Sequence, residues 1–234
     1  MSRVTASAGS RVPATWGPRW SRHLGRLLAH VVWDTQVLGA EHVPVAGPVV
    51  VAANHIGVVD GPVVHGAVPR GTHILVKEEM FAGPLGPVLR AAGQIPVDRT
   101  GGRPALAAAL GVLRRGGAVG IFPEGVRGRG DVSSSRAGVA WLAVNSGAPV
   151  VLTAVLGTRR TGESVGHVPG VRRRLVVAFD EPLVLGRGPG VSGRQAVADA
   201  HELLRVRLAE HVERTVARTG VPLPDDHGLA GPPG

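Results

Sequence analysis

Apolar positions along this chain follow two rhythms. Short unbroken runs at 49–53, 72–76, 94–97, 118–122, 149–155 and 175–179 read as strands covered on both faces. Between them, apolar residues recur at helical spacing. Helices are expected over 58–67, with Pro62 in the first turns where proline is tolerated, and over 84–92, 104–115, 135–146 and 193–218. In the last of these, Leu203, Leu204, Val206 and Leu208 are expected on the inner side. Strands alternating with helices predict an α/β fold: one layered domain over 39–218 with a mostly parallel or mixed central sheet flanked by helices. Sites in such sheets sit at the strand ends.

Ahead of this domain the run TWGPRWSRHLGRLLAHVVWDTQV predicts a helix starting near Trp16, and residues 15–38 are assigned to an amphipathic element. Trp16, Trp20, Leu24, Leu27, Leu28 and Val31 share a stripe, with Arg19, Arg22, His23 and Arg26 around the rest. Two Trp and three Arg on a short helix suit a membrane interface; packing of the stripe on the domain is the alternative. Residues 1–14 and 219–234 read as a disordered start and a loose tail. The N-terminus has neither the apolar core of a signal peptide nor a glycine at position 2, and no run approaches the length of a membrane span. The expectation is a cytoplasmic protein, peripheral to the inner face of the cell membrane.

Composition narrows the chemistry. There is no cysteine, which removes disulfides, thiolate nucleophiles and cysteine zinc sites. The net charge of +9 favours anionic partners. Lys77 is the single lysine among 26 Lys and Arg side chains, a skew that resembles coding bias more than a designed surface. With no Tyr, three Phe and four Trp, stacking aromatics are scarce, and no nucleic-acid partner is expected. Neither GxGxxG after a strand nor a Walker A pattern is present, and His55, His65 and His73 do not make a metal-ligand spacing, so no metal is expected. His65, His73 and His167 read as structural or surface residues.

Four stretches place polar groups at strand ends. In VVVAANHIGVVDGPVV, an apolar strand stops at Asn54-His55 and Asp60 follows five positions after the histidine. The pair can meet if His55 lies in the loop and Asp60 in the first turn of the next helix. A carboxylate on one imidazole nitrogen then fixes the tautomer and leaves the other free to take a proton from a hydroxyl. In AVGIFPEGVRGRG, a buried strand runs into Glu124, Gly125, Arg127 and Arg129, groups suited to an anionic ligand, Arg129 reading as solvated. AAGQIPVDRTGGRPAL puts Asp98 and Arg99 at another strand end, and NSGAPVVLTAVLGT is a buried strand led by Pro149.

In order and spacing, NHIGVVD, GQIPVDR, FPEGVRGRG and GAPVVLTAVLG resemble the motifs of the glycerolipid acyltransferases, the family of the 1-acylglycerol-3-phosphate O-acyltransferases, over about residues 40–185. The region HILVKEEMFAGPLGPVLRAAGQIPVDR, with Lys77 after its strand, is also similar to the family. The resemblance implies transfer of a fatty acyl group from a thioester, acyl-CoA or acyl carrier protein, to the free hydroxyl of a lysophospholipid on an anionic membrane surface. It makes phosphatidic acid the expected product, with no cofactor beyond the acyl donor. It implies His55 as general base and Asp60 as its orienting partner, with Arg99, Glu124, Gly125, Arg127 and Lys77 holding the substrate. No serine lies in a GxSxG elbow, in keeping with direct attack and no acyl-enzyme. The third motif usually carries Thr and Ser where this chain has Val126 and Gly128. That departure leaves open another lysolipid or hydroxyl acceptor, or a non-catalytic lipid-binding relative.

Overall fold

The computed structural model describes residues 11–98, 102–125, 127–133 and 135–226. Its centre is a seven-stranded sheet in the order β1-β7-β6-β2-β5-β3-β4. The strands are β1 (Asp34–Leu38), β2 (Val49–Ala53), β3 (Thr72–Lys77), β4 (Ile95–Val97), β5 (Ala118–Ile121), β6 (Val150–Leu156) and β7 (Arg174–Phe179). Neighbours pair in parallel except β6 and β7, so β6-β2-β5-β3-β4 form a parallel block and β7 with β1 run the other way. The helices are α1 (Trp16–Leu27), α2 (Asp60–Ala67), α3 (Glu79–Ala82), α4 (Gly86–Ala91), α5 (Arg103–Arg114), α6 (Gly138–Ser146) and α7 (Gly193–Thr219).

Strand side chains alternate between two cores, as the two-residue period requires. Val50, Ala52, Leu152, Leu156, Val176 and Ala178 face α5, α6 and α7. Val49, Val51, Ala53, Val151, Val155 and Val177 face the opposite layer with Val63 and Val64 of α2. Both faces of the central strands are therefore dry, which is why their sequences are continuously apolar.

The N-terminal element differs from its expectation. The helix ends at Leu27, passes through a π-turn at Leu28–Val32, and the chain then enters β1, which pairs with β7 from Asp34↔Arg174 to Leu38↔Ala178. The folded sheet thus begins inside the 15–38 segment. DTQVL lacks the unbroken apolar run of the inner strands because it lies at the sheet edge, where only Thr35 is buried.

The face by which α1 packs is also not its apolar stripe. Gly17, Pro18, Ser21 and Gly25 are the buried residues, and small side chains let the backbones approach. A Cβ on Gly66 of α2 would lie 2.2 Å from the Gly25 carbonyl oxygen, so the helix contact requires glycine there. Trp16, Trp20, Leu24, Leu27 and Val31 are exposed instead, while Leu28 packs inward.

Smaller corrections follow from the same packing. The helix expected from 58 begins at Asp60, after a turn closed by Asp60 N–H to the Gly57 carbonyl, and that expected from 135 begins at Gly138. In α7, Leu204 and Leu208 are buried, but Leu203 and Val206 are 45% and 37% exposed, because one side of a 3.6-residue helix cannot take in all four. The start expected to be disordered lies outside the described residues over 1–10. The tail expected from 219 starts as the last residue of α7, then folds back: Pro224 is buried, Val221 and Leu223 pack on the core, and Asp226 pairs with Arg159. Residues 227–234 lie outside the described residues.

Candidate active site

The parallel block sends the ends of five strands to one edge. Ala52 pairs with Ile121, and His55 and Glu124, each three positions further on, lie in the loops just past the ends of these adjacent strands, where they touch. Ile74 pairs with Gly120, which brings Lys77 to the same edge. Two strand spacings put Lys77 about 10 Å from the β2 line.

At the end of β2, Asn54 takes over from the ladder. Its fully buried side chain accepts from Val155 N–H at 2.7 Å and donates to the Val155 carbonyl at 3.1 Å. This lets the backbone leave the sheet without stranding polar groups. His55 then turns toward α2, and its ring stacks on Phe122 with centroids 4.3 Å apart.

His55 Nδ1 and Asp60 Oδ2 are 2.7 Å apart. The same oxygen accepts from Ile56 N–H at 2.7 Å and Gly57 N–H at 2.9 Å, and Oδ1 accepts from the Thr158 hydroxyl. Asp60 is fully buried and is the first residue of α2, where the helix dipole favours an anion. With a carboxylate accepting from it, Nδ1 carries the ring proton, and Nε2 presents a lone pair that no described residue occupies. The imidazole is 12% exposed. A ring in this tautomer, held by a buried acid, can accept a proton from an alcohol.

Glu124 is buried behind the dyad, its Oε1 accepting from His55 N–H at 2.8 Å. Burial pushes its carboxyl up to about 7; the His55 N–H opposes this, and the nearby Asp131 and Asp60 add to it. Gly125 turns the chain with φ of 68°, which favours glycine. Arg127 is half-buried, its pKa lowered by burial against the pull of Asp60, and its buried Nε lacks a partner among the described residues. An orphaned guanidinium donor near a buried anion can serve an anionic ligand.

The structure therefore brings together His55, Asp60, Glu124, Gly125 and Arg127, with Lys77 further along the edge. Arg99 lies outside the described residues. His65 and His73 are buried structural residues, His65 Nε2 lying 2.9 Å from Ser21 Oγ and His73 Nδ1 2.6 Å from the Gly93 carbonyl. Among the described residues no three His, Asp or Glu side chains group as a metal site.

Sequence reasoning missed Phe122, Thr158 and Arg159. Thr158 and Arg159 follow the β6 stretch directly, and the available signal was that β6 ends at the same edge as β2. Arg159 is fully buried, and its Nε donates to the Ile56 carbonyl at 3.0 Å.

Known proteins share the fold and identify the family. A family model described as Acyltransferase matches residues 34–155, just over half of the chain. The 1-acyl-sn-glycerol-3-phosphate acyltransferase of Bacillus subtilis is 29% identical over 178 residues, 75% of this chain and 86% of its own. Its counterpart from Borreliella burgdorferi is 32% identical over 127 residues, about half of each chain. The fold is shared with the 1-acyl-sn-glycerophosphate (LPA) acyltransferase PlsC of Thermotoga maritima, with a TM-score of 0.64 at 24% identity, over 86% of this chain and 80% of that one. With the family model spanning β1 to β6 and the dyad between them, the chain belongs to the Acyltransferase family and is an enzyme of that type.

Proposed function

We propose that the protein moves a fatty acyl group from a thioester, acyl-CoA or acyl carrier protein, to the free hydroxyl of 1-acylglycerol-3-phosphate, giving phosphatidic acid. The observation that carries the reading is the His55–Asp60 pair, 2.7 Å apart, with the acid fully buried and held by three further donors. The activity by which both bacterial relatives are named supports the acceptor.

In this mechanism His55 Nε2 takes the proton from the acceptor hydroxyl as its oxygen bonds to the thioester carbonyl carbon. Asp60 stabilises the imidazolium that forms. The tetrahedral intermediate collapses with cleavage of the carbon–sulfur bond, and the departing thiolate takes the proton back from His55. The ester and the free thiol leave. Arg127, whose Nε has no partner among the described residues, binds the acceptor phosphate, assisted by Lys77 at the end of β3 and by Arg99. Glu124 and Gly125 shape the turn beneath it. No metal enters the scheme, and the acyl donor is a co-substrate.

The exposed stripe of α1 rests on an anionic membrane at its inner face, where the lysolipid is found. Its apolar residues enter the interface, and the exposed Arg19 and Arg26 meet head groups. No helix among the described residues is long and apolar enough to cross a membrane.

Val126 and Gly128, standing where the third motif of the resembled family usually has Thr and Ser, favour one second reading: an acyltransferase with the same chemistry and another lysolipid or alcohol as acceptor. The deciding experiment is free-thiol release from acyl-CoA and from acyl carrier protein, with and without lysophosphatidic acid, for wild type and His55→Ala. Release that needs both the lipid and His55 establishes the proposal. Release that needs His55 with other acceptors only selects the second reading, and no release with any acceptor points to a non-catalytic lipid-binding protein.

A further inference from the structure

The segment 220–226 reaches the dyad through a single buried side chain. Arg159 uses all five of its donors. Nε binds the Ile56 carbonyl at 3.0 Å; one Nη2 bond goes to the Gly128 carbonyl at 3.0 Å and another to the Asp226 carbonyl at 2.8 Å. Nη1 binds the Glu163 carbonyl at 3.2 Å and the Asp226 carboxylate at 2.5 Å. Both loop carbonyls belong to the housing of His55. Ile56 is the next residue and donates its N–H to Asp60, while Gly128 donates its N–H to the His55 carbonyl at 3.0 Å.

Asp226 is in turn held in place. Its second oxygen accepts from Gly162 N–H at 2.6 Å, and Asp225 N–H donates to the Thr161 hydroxyl at 3.2 Å. Leu223 approaches Gly130, where Ile56 and Asn54 also converge: an added Cβ there would lie 2.3 Å from Ile56, 2.8 Å from Asn54 and 3.3 Å from Leu223. The segment thus packs over both loops as well as pairing with Arg159.

The charge matters because a guanidinium with no exposure cannot draw on water. Four carbonyls accept its protons but cannot neutralise it; the counter-charge beside it is the Asp226 carboxylate. Without that charge the fork is free to draw back toward solvent and release the Ile56 and Gly128 carbonyls together.

We propose that Asp226 is a positioning residue for His55, acting through Arg159. The segment after α7 is a strap that fixes the histidine in the geometry needed for proton transfer. The kinetic half of this proposal rests on the acyl-transfer reading, whereas the geometric half does not.

The test compares Asp226→Asn, Asp226→Glu and, as control, Asp225→Asn, which removes a charge from the same turn. Two readouts are taken: kcat and KM for thiol release with lysophosphatidic acid and acyl-CoA, and the imidazole ¹⁵N resonances of His55 in the ligand-free protein. For Asp226→Asn we expect kcat to fall about tenfold or more, because misplacement near 1 Å is costly, with both KM values within about twofold. The His55 signals should shift from a pure Nδ1–H form toward mixed tautomers, with Asp226→Glu intermediate and Asp225→Asn as wild type. Wild-type His55 signals in Asp226→Asn would overturn the proposal, as would equal losses in Asp225→Asn or full recovery of kcat on cooling well below the melting temperature. If Asp226→Asn does not fold, the resonances of Asp226→Glu decide in the same way. If wild type transfers no acyl group, the resonances still test the strap, so the two failures are separable.

Discussion

The hydroxyl of Thr158 donates to Oδ1 of Asp60, the oxygen that His55 does not use. One buried carboxylate thereby joins the end of β6 to the loop after β2. Thr158→Val keeps the shape and removes the donor, leaving a lone pair unpaired in a site with no exposure. The expected cost is about 1–3 kcal/mol in urea unfolding, since the desolvation of that oxygen is no longer compensated. Turnover should fall about tenfold as the imidazole loses part of its restraint.

His55→Ala removes the imidazole proposed as the base. The expected loss in kcat is about 10²–10⁴-fold with folding intact, checked by thiol release and by thermal melting. Asp60→Asn should also cost about 10²-fold or more in kcat, because an amide does not hold the ring in the Nδ1–H form. It should in addition lower the melting temperature, since the first turn of α2 loses the anion that accepts Ile56 and Gly57.

Two buried groups should make stability depend on pH with opposite signs over the same window, from about pH 4 to 7. Glu124 has its pKa raised by burial to about 7 from an ordinary 4.5, so the folded state holds a proton that the unfolded chain releases. That contribution is fully present below pH 4.5 and is lost as pH rises to about 7; Glu124→Gln should recover up to about 3 kcal/mol at pH 8. His65 has the opposite sign. Burial first, then the neighbouring His73, lowers it from 6.5 to about 4. Its contribution is complete above pH 6.5 and is lost as pH falls to about 4, so His65→Asn should leave the Glu124 dependence unopposed, with stability rising as pH falls from about 7. Urea unfolding of the two variants across pH 4–8 checks both signs; identical profiles would contradict them.

Leu24 and Leu27 lie on the exposed side of α1, away from its packed glycines. Changing both to Ser should leave the melting temperature unchanged and weaken binding to anionic phosphatidylglycerol vesicles by about tenfold or more, as each buried leucine contributes about 1.5–3 kcal/mol. Binding of the wild type should fall with added salt, because the exposed Arg19 and Arg26 supply its electrostatic part. Sedimentation with vesicles at low and high salt measures both effects.

The sequence by itself determined whatever rests on local pattern. Continuous apolar runs located the inner strands, because strands covered on both faces are built mostly of apolar residues, with a buried polar group such as Thr153 as the exception. Asn54-His55 and Asp60 could be paired from the chain alone, because five residues of loop are enough to bring them together. Tertiary structure decided the rest. β1 was illegible because an edge strand needs little apolar content. The stripe on α1 announced an amphipathic helix, but only the Gly25–Gly66 approach settled which face packs. Thr158, Arg159 and Asp226 reach the dyad from about a hundred or more positions away, brought there because β6 runs parallel beside β2 and α7 returns the chain to the same edge. Local propensity carries no record of such neighbours, since nothing near Asp226 in the chain needs a carboxylate; the buried guanidinium of Arg159 does.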